Sequence, residues 1–189
     1  MDYNKHLDLV FRSPPSLLPA TIGTNLHAGE RTQLFHDIVW GQFLASLTQD
    51  DFIRYPNDTN LVSQLANYLN VSAQNVMLFA GADEALDCIS RCFLLTGAQL
   101  VIPEYHFPMY DVYAARMHSS VVLLKYDQNV LTSVTNNHIN YAKLVIVANP
   151  NSPVGDSPTI TLLEDLEKLN VPIVIDSVYS DFGSTAIPI

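Results

Sequence analysis

The chain has 189 residues, of which 48% are hydrophobic and 15% charged, the balance of a folded globular protein. Nine basic residues against nineteen acidic ones give a formal net charge of −10, and no basic cluster offsets it, which argues against a nucleic-acid or anionic-membrane surface as partner. No apolar run approaches the roughly 20 residues a bilayer span needs, and Met1–His6 has no basic segment leading into an apolar one, so a soluble cytoplasmic protein is expected.

Residues 1–31 are rich in turn formers, with Ser13-Pro14-Pro15 and Gly23 breaking any periodicity, and read as an arm across a surface or a partner subunit. From Thr32 to Leu47 the apolar residues Leu34, Phe35, Ile38, Val39, Phe43, Leu44 and Leu47 recur at helical spacing, with Thr32 as the expected cap. A polar connection over 50–59 carries Tyr55-Pro56, and a second amphipathic helix spans 60–70. Val76-Met77-Leu78-Phe79-Ala80 is wholly apolar and closed by Gly81, the pattern of a strand buried on both faces. A helix is then predicted over 83–95, a strand at 100–102, a helix over 108–118 and a strand at 121–124. Around Asn136-Asn137-His138 the chain reads as a polar surface loop. A strand at 144–148, a helix over 160–169 and a strand at 173–175 complete the series. Strands alternating with helices predict an α/β fold, three layers around a mostly parallel sheet, preceded by a helical N-terminal arm. The expected division is 1–59 for arm and first helix, and 60–189 for the α/β domain.

Cys88 and Cys92 stand four apart on one helix face, expected as small core residues and not as metal ligands, for which the neighbourhood offers no further donors.

In such a sheet ligands gather at the carboxyl ends of the strands, and the motifs that carry chemistry all lie there. Gly81-Ala82-Asp83-Glu84 turns a strand into a helix and leaves the first helical amides without intrahelical acceptors, a ready phosphate site. The plain alternative is a common corner capped by Asp83. Val174-Ile175-Asp176-Ser177-Val178-Tyr179 delivers an aspartate from a strand end and a tyrosine three residues on. A buried carboxylate there suits the protonated ring nitrogen of pyridoxal phosphate, and the tyrosine suits its phenolic oxygen. A strand-end cap and a surface tyrosine would look the same in sequence. In Pro103-Glu104-Tyr105-His106-Phe107 an aromatic ring is placed to stack on a pyridine face, Phe107 first and Tyr105 second, against ordinary core packing. The turn Asn149-Pro150-Asn151-Ser152-Pro153-Val154-Gly155 fixes a rigid loop with two prolines and a glycine.

This ordered set resembles the fold-type I pyridoxal phosphate enzymes of the class I/II aminotransferase group, most of all the histidinol-phosphate aminotransferase branch. Arg54-Tyr55-Pro56, Gly81-Ala82-Asp83-Glu84, Phe107-Pro108-Met109-Tyr110, the 149–155 turn and Asp176 with Tyr179 all fall in that family's order, from about Leu26 to Phe182. The resemblance implies that backbone amides of Ala82 and Asp83 hold the cofactor phosphate. Phe107 stacks on its ring, Asp176 pairs with its nitrogen and Tyr179 meets its phenolic oxygen. Ser152 stands where the family's Asn-Pro-x-Asn-Pro-x-Gly signature has its second asparagine, with one shorter donor in its place. Tyr55 reaches the phosphate of a neighbouring subunit, so the implied active unit is a homodimer acting on small-molecule amino acid and 2-oxo acid substrates. The Leu26-His27-Ala28-Gly29-Glu30 segment is a degenerate form of the family's substrate loop and carries no assigned contact.

The family's Schiff-base lysine lies beyond Tyr179, on a loop after a further strand. The lysines of this chain are Lys5, Lys125, Lys143 and Lys168, all before Asp176, and none is expected to be catalytic. A fragment of a longer enzyme is therefore expected, with the 76–80 strand deprived of two strands that the family inserts between it and the 144–148 strand. The alternatives are a non-catalytic protein that binds the cofactor or assembles around it, and a decarboxylase of phosphorylated amino acids that uses the same cofactor residues.

Overall fold

The computed structural model describes residues 34–127, 130–131 and 141–183. They fall into two compact units, one ending at Leu78 and the other running on from Phe79.

The first unit holds α1 (Asp37–Ser46), a single turn α2 (Asp50–Ile53), α3 (Thr59–Leu69) and a 3₁₀ turn (Ala73–Asn75). The expected cap Thr32 lies outside the described residues; His36 takes that role, accepting the Ile38 amide on Nδ1 at 3.3 Å. Asn70 ends α3 in the left-handed region at φ 55°, where its amide returns to the Ala66 and Asn67 carbonyls. The run 76–80 is not a strand. Residues 76–79 carry no regular structure, Met77 is exposed, and among the described residues no ladder includes them. Apolar character alone does not make a strand, because a strand's amides and carbonyls need a neighbour.

The second unit is an α/β layer structure. Its elements are α4 (Ala82–Phe93), β1 (Gln99–Pro103), α5 (Met109–Arg116), β2 (Ser120–Leu124), β3 (Tyr126–Asp127), β4 (Val130–Leu131), β5 (Ala142–Ala148), α6 (Ile160–Glu167), β6 (Ile173–Asp176) and a 3₁₀ turn (Ser180–Phe182). Four strands form a parallel sheet in the order β2-β1-β5-β6, and β3 and β4 make a small antiparallel pair. The period of two along each strand divides the core. Leu100, Ile102, Leu144 and Ile146 face Leu86, Tyr110, Tyr113 and Ala114 of α4 and α5. Val101, Val145 and Val147 pack with Leu162 and Leu166 of α6. β5 is buried at every position but Lys143 because it has a strand on each side and a helical layer on each face.

The sheet grows outward from β1 to β2, then reverses to place β5 and β6 on the other flank. The carboxyl ends of β1 and β5 flank that reversal, where open α/β sheets bind ligands. β5 already has both neighbours. Among the described residues the edges of the sheet are β2 and β6, so the expected gap beside the 144–148 strand is not there. No described helix is long and apolar enough to cross a membrane. Cys88 is half-buried and Cys92 exposed, so the pair does not belong to the core as expected; Cys92 falls on the outer side of α4, in its last turn.

Candidate active site

Four chain segments meet around one cavity of about 310 Å³. Ala80 to Asp83 and Leu86 come from the entry to α4, Phe107 and Tyr110 from the approach to α5 and its first turn. Ala148 ends β5 and Pro150 and Ser152 follow it, while Asp176 ends β6 and Val178 and Tyr179 follow that. Its volume is at the lower end of the roughly 300–1,000 Å³ typical of small-molecule pockets.

Gly81 opens α4 at φ 87°, a left-handed conformation that L side chains rarely adopt. A Cβ there would meet nothing within 4 Å, so backbone conformation and not crowding calls for glycine. Glu84 turns back and accepts the Ala80 amide at 2.5 Å, pinning the entry to the helix. Ala82 and Asp83, which open the helix, line the cavity with the positive end of a 12-residue helix behind them. Tyr113 of α5 braces this corner, its hydroxyl 3.1 Å from the Asp83 carbonyl and 3.3 Å from the Asp83 carboxylate.

Phe107 lines the cavity and meets Tyr110 edge to face, with ring centroids 5.8 Å apart. Tyr105, the second aromatic candidate, is half exposed and is not part of the wall. Its backbone carbonyl accepts Asn151 Nδ2 at 2.8 Å, which ties the loop after β5 to the loop after β1 across the sheet reversal. The 149–155 turn is closed by the Gly155 amide on the Asn151 carbonyl at 2.6 Å and by the Asn151 amide on the Asp156 carbonyl at 2.7 Å. Asn149-Pro150 and Ser152-Pro153 are cis, and Gly155 has φ 83°. Ser152 and Tyr179 line the cavity and also a second, more open one of about 440 Å³ beside it.

Asp176 is half-buried at the end of β6. Its Oδ2 accepts the Tyr110 hydroxyl at 2.7 Å and its Oδ1 the Val178 amide at 3.2 Å. Tyr110 has no exposed surface; burial first, then the Asp176 charge, pushes its phenol far above the ordinary range.

Of the expected site residues, Ala82, Asp83, Phe107, Ser152, Asp176 and Tyr179 therefore border one cavity. Tyr55 lies in the other unit and is fully exposed. Sequence reasoning missed Tyr110 and Tyr113 as site-builders. The available signal was their spacing from Phe107, three and six residues on, at the start of a helix. No lysine among the described residues borders the cavity: Lys125 pairs with Glu104 at 2.8 Å, Lys168 with Asp165 at 2.6 Å, and Lys143 is exposed on β5.

Comparison with known proteins gives a consistent picture. The sequence profile of the family "Aminotransferase class I and II" matches residues 24–188. Histidinol-phosphate aminotransferase of Clostridium novyi is 27% identical over 154 residues, covering 77% of this chain and 43% of the relative. The chain thus spans about two fifths of the length of the curated relatives it matches. Among solved structures, histidinol-phosphate aminotransferase from Sinorhizobium meliloti, in complex with pyridoxal-5'-phosphate, superimposes with a TM-score of 0.64 at 22% identity, over 76% of this chain and 41% of that one. An aminotransferase from Neisseria meningitidis gives 0.75 at 19% identity, over 95% of this chain and 53% of that one. The two structures share the fold.

Proposed function

This chain belongs to the class I and II aminotransferases, and from that premise we propose that it serves the transfer of an amino group between an amino acid, or an amino phosphate such as histidinol phosphate, and a 2-oxo acid. Pyridoxal phosphate is the cofactor of this reading. The observation that carries it is the meeting, around a single cavity, of a helix N-terminus, an aromatic ring and a carboxylate held at a strand end.

That donor set fits the group. The cofactor has an anionic phosphate, a flat ring and a basic ring nitrogen, and the wall offers a partner for each. The amides of Ala82 and Asp83, with the dipole of α4 behind them, suit the phosphate where no basic side chain borders the cavity. Phe107 supplies the apolar face and Asp176 the counter-charge for a protonated nitrogen. Tyr179 and Ser152 are the hydroxyl donors for the phenolic oxygen. When bound, pyridoxal phosphate supplies an electron sink for the bond broken at the substrate's α-carbon. The protein's share is to keep that ring oriented and its nitrogen protonated, and to exclude water from its buried face.

In the same reading Tyr55 reaches the phosphate site of a second copy, the working unit is a homodimer in the cytoplasm, and residues 1–59 serve as arm and subunit contact for the cofactor domain of 60–189. Because no described lysine borders the cavity, the 189-residue polypeptide is expected to bind the cofactor reversibly and to lack turnover of its own.

Equilibrium dialysis of the polypeptide against pyridoxal phosphate tests the proposal. Saturable binding at one site per chain is expected, weakened at least tenfold in Asp176→Asn by loss of a charge-assisted contact worth about 1.5–3 kcal/mol. Absence of saturable binding, or binding indifferent to both Asp176→Asn and Phe107→Ala, overturns it. Cofactor trapped covalently on Lys125, Lys143 or Lys168 by borohydride would refute the expectation of reversible binding.

A further inference from the structure

We propose that Tyr110 is the positioning residue for the nitrogen end of this site: its hydroxyl fixes the Asp176 carboxylate in the orientation that meets a protonated ring nitrogen. The inference rests on the pyridoxal phosphate reading and adds a residue to it.

Asp176 is the last residue of its strand, where the chain leaves the sheet and a carboxylate is free to rotate about two side-chain bonds. Two donors hold it. The Val178 amide at 3.2 Å is a local contact, two residues on, of the kind any strand-end aspartate makes. The Tyr110 hydroxyl at 2.7 Å comes from a different element, 66 residues away in sequence, at the usual length of a good O–H···O bond.

What matters is which partner yields. Tyr110 has no solvent-exposed surface. Its ring is fixed edge-on by Phe107 at 5.8 Å and stacked on His106 at 6.0 Å with planes 15° apart. His106 is itself held on both ring nitrogens, by the Pro103 carbonyl at 2.7 Å and the Asp111 carboxylate at 2.9 Å. A phenol packed this way cannot follow a swinging carboxylate, so the carboxylate follows the phenol. Asp176 keeps unused acceptor capacity beyond these two bonds and borders the cavity, as Phe107 does. One side chain thereby ties the ring face to the ring nitrogen, and a shift of either is felt by the other. The remaining titratable neighbours are Tyr113 on the same helix and Asp83 and Tyr179 in the cavity wall.

The test uses the full chain with pyridoxal phosphate labelled with ¹⁵N at the ring nitrogen. Tyr110→Phe is expected to weaken binding roughly ten- to a hundredfold, the range of one hydrogen bond to a charged group, and to shift loss of the nitrogen's proton, read from the ¹⁵N resonance, to lower pH. In an Asp176→Asn background the same substitution is expected to have no further effect on the nitrogen. A purely structural tyrosine would lower the melting temperature and leave the ¹⁵N titration unmoved; that result, or additive effects in the double variant, overturns the proposal. A second readout needs no folded variant. In the wild-type chain the Tyr110 hydroxyl proton is expected to exchange slowly and to move in the NMR spectrum when cofactor is added, and a resonance indifferent to cofactor counts against the proposal. Failure of the wild type to bind at all overturns the cofactor reading and this one together, whereas normal behaviour of wild type and Asp176→Asn with a silent Tyr110→Phe overturns this one alone.

Discussion

Ser152 borders both cavities from a turn that is otherwise closed by its own backbone. A serine offers one short donor where asparagine offers two on a longer arm. Ser152→Asn is therefore expected to tighten cofactor binding by one hydrogen bond, about 0.5–1.5 kcal/mol or roughly two- to tenfold, as measured by dialysis. Tyr110 makes a different prediction. Its folded phenol is held well above the ordinary range by burial and by Asp176. The unfolded chain therefore loses that proton first as pH rises past about 10, and the stability Tyr110 contributes below that pH is lost above it. Urea midpoints at pH 8 and pH 10.5 are expected to fall further for wild type than for Tyr110→Phe. Equal falls would mean that the buried phenol carries no such linkage.

At the scale of elements, α4 and α5 bear on the site through their first turns. Gly81 at φ 87° and ψ 172° joins Ala80 to α4, and Gly81→Ala is expected to cost about 1–3 kcal/mol because that backbone region is essentially restricted to glycine. Because the Ala82 and Asp83 amides turn with that corner, phosphate affinity should fall along with the melting temperature. β5 is the core's centre, and Leu144 is fully buried against α4 and α5. Leu144→Ala is expected to cost about 2–5 kcal/mol in urea unfolding, as cavity-forming core truncations do. Gly183 packs where a Cβ would stand 2.8 Å from the Pro150 ring, so Gly183→Ala should disturb the turn that carries Ser152.

For the molecule as a whole, the exposed apolar groups decide behaviour in solution. Ile38, Val39, Trp40, Phe43 and Leu44 of α1 are all about half exposed, and the outer edge of β6 has no strand partner among the described residues. Such surfaces associate, while a net charge of −10 opposes it. Light scattering of the 189-residue polypeptide should therefore show species larger than 21.0 kDa, more so at 0.5 M salt than at low salt as screening removes the repulsion. A monomer at every salt concentration would show that those faces do not drive association.

Periodicity was enough to determine the α/β layers, because the strands at 100–102, 121–124, 144–148 and 173–175 alternate with helices whose apolar spacing differs from theirs. Residue chemistry was enough to pick out Asp176, Phe107 and the Gly81 corner as neighbours of one cavity, since each motif is local in the chain. Only tertiary structure could decide what depends on partners distant in the chain. It left 76–79 without a ladder, because an apolar run cannot supply its own neighbour, and it put Cys92 outside the core, because spacing sets a helix face but not what covers it. It also brought the Tyr110 hydroxyl to Asp176 and that of Tyr113 to Asp83. Contacts across 66 and 30 residues arise from the packing of α5 against the sheet and α4, and no local pattern encodes them.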